Sequence, residues 1–207
     1  MKFRTIILSI ATLLTFSVIA PAQDERNKVE TYIGYSYLST DTGLEDIDSD
    51  FDNRLGSNGI NASITGNPHR YIGIKGDFSF HQKSESDGTD RARFRTTQIL
   101  GGIQFKDNKV EGGRFRPFAH ILAGLANQGL SAQGVVGTTT FDINESTNNF
   151  AMVWGGGIDM RVNDRVSIRV IQADYNPIFF RDQDYGTFSI QGRTQSNFRI
   201  GAGIVFH

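Results

Sequence analysis

The chain has 207 residues, room for one generous domain or two small ones, with 38% hydrophobic residues, a mean hydropathy of -0.30 and a formal charge of -1. Cysteine is absent, which excludes structural disulfides, thiolate zinc sites and a cysteine-borne lipid anchor within these residues; the near-neutral balance gives no encouragement to nucleic-acid binding. Twenty-three glycines and sixteen phenylalanines against four prolines suit many closely packed strands with aromatic anchors. An averaged hydropathy conceals a membrane face wherever apolar and polar residues alternate.

Lys2 and Arg4 precede a sixteen-residue, mainly apolar run from Thr5 to Ala20, and Ala20-Pro21-Ala22 supplies a small-x-small cleavage pattern. We therefore expect a cleavable signal peptide over 1–22, a short lead-in over 23–28 and one β domain over 29–207. Losing Lys2 and Arg4, and no acid, takes the formal charge from -1 to -3. No run of eighteen apolar residues follows, so the exported chain is either a soluble β protein or an outer-membrane barrel.

The first strand is expected over 29–39, with Val29, Thr31, Ile33, Tyr35 and Tyr37 on one face and Glu30, Tyr32, Gly34 and Ser36 on the other. An acidic loop over 41–56 leads to a second strand over 58–66, and Asn67-Pro68-His69-Arg70 reads as a tight turn. The third strand, 71–81, sets Ile72, Ile74, Gly76, Phe78 and Phe80 against Tyr71, Gly73, Lys75, Asp77 and Ser79. A charged loop over 82–93 precedes the fourth strand, 94–106, with Thr97, Ile99, Gly101, Ile103 and Phe105 outward and Arg95, Gln98 and Gln104 expected opposite. After a medium turn over 107–116, the fifth strand, 117–127, has Ala119, Ile121, Ala123 and Leu125 against Phe118, His120, Leu122 and Gly124. A Gly/Ser/Thr-rich loop is expected over 128–147. The sixth strand, 149–162, opposes Phe150, Met152, Trp154, Gly156, Ile158 and Met160 to Ala151, Gly155, Gly157, Asp159 and Arg161. Asn163-Asp164 turns the chain into a seventh strand, 165–175, whose parity breaks: a β-bulge near Ile171 would put Arg169, Gln172 and Asp174 on one side and spare the lipid an acid. A loop over 176–193 leads to the closing strand, 197–206, with Phe198, Ile200, Ala202, Ile204 and Phe206 on its apolar face.

These make eight strands joined by connections that run long, short, long, medium, long, short, long. An outer-membrane barrel has its long loops at one rim and its short turns, with both termini, at the other. A soluble eight-stranded barrel would instead turn the apolar stripes inward and the charges outward. Glu30, Lys75, Asp77, Arg95, His120, Asp159, Arg161, Arg169, Asp174 and Arg199 lie opposite the apolar stripes, with both signs balanced for pairing. We expect an all-β fold: an eight-stranded antiparallel up-and-down transmembrane β-barrel, its lumen filled by that charge network.

Three constellations bear on chemistry. Carboxylates at Asp46, Asp48, Asp50 and Asp52 resemble a calcium loop, but the sixth and twelfth positions are Phe51 and Ser57, or Asn53 and Gly59 in the alternative register, where glycine and glutamate are required. A solvated acidic loop, loosely bridged by divalent cations to lipopolysaccharide, accounts for them. A His–Ser hydrolase could draw on His81 with Ser84 or Ser86 and Glu85, although such composition is usual in exposed loops; His69, His120 and His207 have no serine and acid arranged with them. Gly155-Gly156-Gly157 lacks the spacing of a phosphate loop and suits packing in a curved sheet.

Val29-Glu30-Thr31-Tyr32-Ile33-Gly34-Tyr35-Ser36-Tyr37-Leu38, Phe115-Arg116-Pro117-Phe118-Ala119-His120, Gly155-Gly156-Gly157-Ile158-Asp159, Ile171-Gln172-Ala173-Asp174-Tyr175 and the closing 197–206 together resemble the small outer-membrane β-barrels of OmpA-like or porin-family type. That resemblance implies an outer-membrane protein with no shared catalytic residues. It also implies a C-terminal aromatic read by the barrel-assembly machinery: here Phe206, displaced one place by His207. The peptidoglycan-binding domain of some relatives is not seen after the barrel.

The expectation is a monomeric structural or surface-interaction barrel in contact with outer-membrane lipids and lipopolysaccharide, with termini periplasmic and long loops extracellular. It has no catalytic, metal or cofactor residues and no nucleic-acid partner. A narrow channel for ions or small solutes and a lipid-modifying enzyme are the alternatives.

Overall fold

The computed structural model describes residues 27–41, 54–87, 90–110, 113–136, 139–180, 183–184, 189–190 and 192–207. The signal peptide over 1–22 and the carboxylates of 46–52 lie outside the described residues.

Alternating residues give each strand two dissimilar faces, and such strands hide both the polar face and their edges by closing on themselves. The barrel strands are β1 (Val29–Asp41), β2 (Arg54–Gly66), β3 (Ile72–Asp87), β4 (Asp90–Lys106), β5 (Phe115–Val136), β6 (Thr139–Arg161), β7 (Val166–Phe179) and β10 (Thr194–Phe206). Two-residue strands β8 (Gln183–Asp184) and β9 (Ser189–Ile190) pair within the last connection. Neighbours in sequence pair antiparallel throughout, and β10 returns to β1 (Tyr35↔Ala202, Ile33↔Ile204) to complete a closed eight-stranded barrel. No described helix is long and apolar enough to cross a membrane, which says nothing of a barrel.

The faces fall as the membrane reading requires. Ile33, Ile64, Ile74, Ile99, Ile121, Leu125, Trp154 and Ile200 are exposed, while Glu30, Lys75, Asp77, Asp159, Asp174 and Arg199 are buried. A water-soluble barrel would have the opposite arrangement. On β5 the outward stripe from Phe115 to Leu125 covers eleven residues. At about 3.4 Å per residue and a tilt of about 40° it rises about 26 Å, matching an apolar band of about 25 Å. Aromatics mark both edges: Tyr71, Phe105, Phe115 and Phe206 at the short-turn end, and Tyr35, Tyr37, Phe150 and Phe198 at the other.

Strand β7 carries the expected bulge. Gly201 pairs with Gln172 but Gly203 with Arg169, and Ile158 pairs with Ile171 but Asp159 with Arg169. Val170 and Ile171 therefore occupy one step, and both are exposed, which leaves Arg169, Gln172 and Asp174 all inside.

Two connections read as loops are mostly strand. Residues 82–87 and 90–93 extend the β3–β4 hairpin (Gln82↔Arg95, Ser86↔Arg91), and 128–136 and 139–147 extend the β5–β6 hairpin (Gln128↔Thr147, Val135↔Thr140). Above the apolar band both faces of a hairpin meet water, so backbone pairing needs no apolar period, and the extension leaves no hydrophobic signal. The short turns match their composition. After β6, the side-chain oxygen of Asn163 accepts from the backbone N–H of Arg165 (2.9 Å) and of Val166 (2.8 Å), reversing the chain in four residues.

Candidate functional site

Strand parity delivers the inward side chains and the bulge corrects β7, so charges far apart in sequence meet in one network. Arg199 on β10 is its centre. Its Nη1 donates to Asp77 Oδ1 (3.0 Å), and its Nε and Nη2 both donate to Asp174 Oδ2 (2.9 and 2.8 Å). Asn61 donates to both oxygens of Asp77 (3.0 Å each), and Gln172 donates to Asp174 Oδ2 (2.7 Å). His120 Nε2 lies 3.0 Å from Asp174 Oδ1, and its Nδ1 is 3.2 Å from Lys75 Nζ. An ammonium only donates, so Nδ1 is the acceptor in the contact with Lys75, and the Nε2 side of the ring faces Asp174.

Arg169 joins this layer to the next. Its Nη1 donates to Gln172 (2.8 Å), while Nε and Nη2 fork onto Asp159 (2.8 and 3.2 Å). The guanidinium lies between two rings, 4.0 Å from the Phe118 centroid and 4.3 Å from that of Tyr32. Lys106 Nζ then bridges Asp159 (2.8 Å) and Glu30 (2.9 Å), and His207 Nδ1 lies 3.3 Å from Glu30. Four acids (Glu30, Asp77, Asp159, Asp174) thus face four bases (Lys75, Lys106, Arg169, Arg199), all buried. Such pairing is what keeps buried charge tolerable.

Glycine is required where the network presses on the wall. A Cβ at Gly155 would lie 2.3 Å from Asp174 Oδ1, and one at Gly157 would lie 2.1 Å from the Ile171 carbonyl oxygen.

Toward the long hairpins the filling changes character. Leu100, Leu122, Ala126, Ala151, Val153 and Ile178 form an apolar cluster inside the barrel. Beside it stand a reciprocal amide pair, Gln98 with Asn176 (3.0 and 2.7 Å), and the pair Ser36 Oγ with His81 Nε2 (2.7 Å).

Eight of the ten expected network residues are buried here: Glu30, Lys75, Asp77, His120, Asp159, Arg169, Asp174 and Arg199. Two are not part of it. Arg95 shares the parity of Thr97 and Ile99 and is exposed on the outer face. Arg161 ends β6 half-buried at the short-turn rim, where it holds Asp164 and the Val110 carbonyl. Lys106 was missed as the last residue of its strand, although it continues the Gln98–Gln104 parity; buried Arg116 was missed one residue before the expected start of the fifth strand. At the same rim, outside the spanning segments, Arg70 forks onto Asp107 (3.0 and 2.9 Å), and that bond holds the Asp107 carboxyl below its ordinary range. The hydrolase constellation is not assembled. His81 points into the barrel at Ser36, while Ser84 and Ser86 have the opposite parity and are exposed. Among the described residues no group of three His, Asp or Glu could hold a metal.

A family described as the outer membrane protein beta-barrel domain matches residues 8–206. The chain belongs to that family. It is therefore an outer-membrane β-barrel protein. No curated protein sequence matches it. Among solved structures, the fold is similar to that of Ail, the attachment invasion locus protein of Yersinia pestis, crystallised with a heparin analogue (TM-score 0.53, 14% identity, 87% of this chain and 100% of that one). It is also similar to Neisserial surface protein A (0.54, 9%, 88% and 99%) and to the outer membrane protease OmpT of Escherichia coli (0.50, 8%, 89% and 99%). At these identities the likeness concerns the fold alone.

Proposed function

We propose that this barrel is a closed, non-catalytic surface protein with periplasmic termini and extracellular hairpins. In this reading it works as a monomer among outer-membrane lipids, with Phe206 read during assembly. The observation that carries the reading is the lumen: a paired charge network in one half and an apolar cluster in the other. An eight-stranded barrel has an interior that side chains alone can fill. The hairpins β3–β4 and β5–β6 rise above the apolar band and offer polar surface suited to contact outside the membrane. The opposite orientation of His81 and its candidate serines favours a non-catalytic role.

The test is conductance. Purified barrel in planar lipid bilayers is expected to leave the membrane at its lipid baseline in concentrated KCl. Reproducible unitary steps would overturn the closed reading in favour of a narrow channel. Unchanged lipid A mass spectra on deleting the gene are the matching expectation for the absence of lipid-modifying catalysis.

A further inference from the structure

Three arginines on β4 stand on the outer face outside the ion pairs of the described residues. Arg91, Arg93 and Arg95 are exposed, and no described carboxylate pairs with any of them. Alternate strand positions are about 6.8 Å apart, so the guanidinium groups form a ladder. Its foot is the last apolar row, Phe78, Ile99, Leu125 and Phe150, paired in sequence across β3 to β6. Arg95 is four residues above Ile99, about 10 Å higher on a strand tilted by about 40°, which is headgroup depth.

Beside the ladder lies a groove of about 520 Å³. Arg91 and Arg93 line it together with Ser84, Ser131, Gln133 and Asn144. Of its two acids, Glu85 is paired with Lys83 (3.1 Å), while Asp142 accepts from the neutral amide of Gln133 (3.2 Å) and keeps its charge, one carboxylate against the two guanidinium groups of Arg91 and Arg93. Guanidinium forks suit phosphate oxygens, and a wall of hydroxyls and amides suits sugar hydroxyls. The face looks sideways over the bilayer, where a ligand arriving from the lipid surface would meet it. The geometry points to a site on this face for the phosphorylated saccharide headgroup of an outer-leaflet glycolipid. The inference rests on the proposed orientation, with the hairpins outside.

The test titrates diphosphorylated lipid A into the full mature chain in zwitterionic micelles and reads retained lipid by native mass spectrometry. Arg91→Gln, Arg93→Gln and Arg95→Gln combined are expected to weaken retention at least tenfold, and wild type should lose as much against lipid A stripped of its phosphates. Heat-modifiable gel migration confirms that the variant is folded; Arg93→Glu alone serves if the triple variant is not. Equal retention by variant and wild type overturns the site. Inositol hexakisphosphate binding as tightly as the lipid overturns it too, since the ligand would then be a soluble polyanion. Orientation is read separately by labelling Ser84→Cys on intact cells with an impermeant maleimide, in a chain without native cysteine. Labelling together with equal retention sinks this inference alone; absence of labelling removes the orientation and the site together.

Discussion

Arg199 neutralises two carboxylates from two other strands, and among the described residues no other side chain pairs with both Asp77 and Asp174. Arg199→Met would leave both acids buried with weakened compensation, and the expected loss is roughly 3–5 kcal/mol, measured by urea unfolding in lipid vesicles. Adding Asp77→Asn should recover part of that loss, because it removes one of the stranded charges. The two faces of β3 make a second comparison. Ile74 is 66% exposed toward lipid and Lys75 is 1% exposed in the lumen. Ile74→Arg is expected to cost roughly 2–4 kcal/mol at mid-depth, and Lys75→Met less, since the stem stays packed and His120 loses only one donor. Equal tolerance of the two would reverse the assigned faces. Most of the network was legible because strand parity alone sorts residues into two sets, and a charge in the polar set of a membrane barrel has one place to go. Arg95 was misassigned against its own parity. Lys106 and Arg116 sit at strand ends, where the alternation has too few residues left to declare a face.

At the level of elements, the eight strands were legible and their lengths were not. Apolar alternation stops where the bilayer stops, while pairing continues beyond it through segments such as Gly129–Gln133 against Asp142–Ser146. Those rows add nothing to barrel closure: β6 meets β7 only from Phe150↔Phe179 onward. Replacing residues 132–143 by Asn-Gly puts a two-residue turn between the paired Ser131 and Asn144. The variant is expected to keep heat-modifiable migration and near-wild-type urea stability. The bulge on β7 is the opposite case. It was legible because Val166, Ile168 and Val170 share a parity with Gln172 and Asp174, a combination no unbroken strand can place in a membrane wall. Deleting Ile171 removes the extra residue, and a one-residue shift sends either the Arg169 side or the Gln172–Asp174 side to the lipid. Loss of the folded, heat-modifiable band is the expected result, whereas Ile171→Ala, which keeps the register, should fold.

Across the whole molecule, charge is divided between two environments, and salt separates them. In the lumen network four acids and four bases lie within hydrogen-bonding distance of partners and away from water. The arginine ladder on β4 stands in solvent. Mobile ions shorten the reach of exposed charge to about 10 Å at 0.1 M and about 3 Å at 1 M, but hardly enter a closed interior. Urea unfolding of the barrel in neutral lipid should therefore move little between those two salt concentrations. Over the same range, retention of phosphorylated lipid by the ladder should fall steeply. A barrel whose stability dropped in parallel with its lipid retention would have water and ions among Glu30, Lys106 and Asp159. That outcome would argue for an open lumen against the closed one, independently of any conductance record.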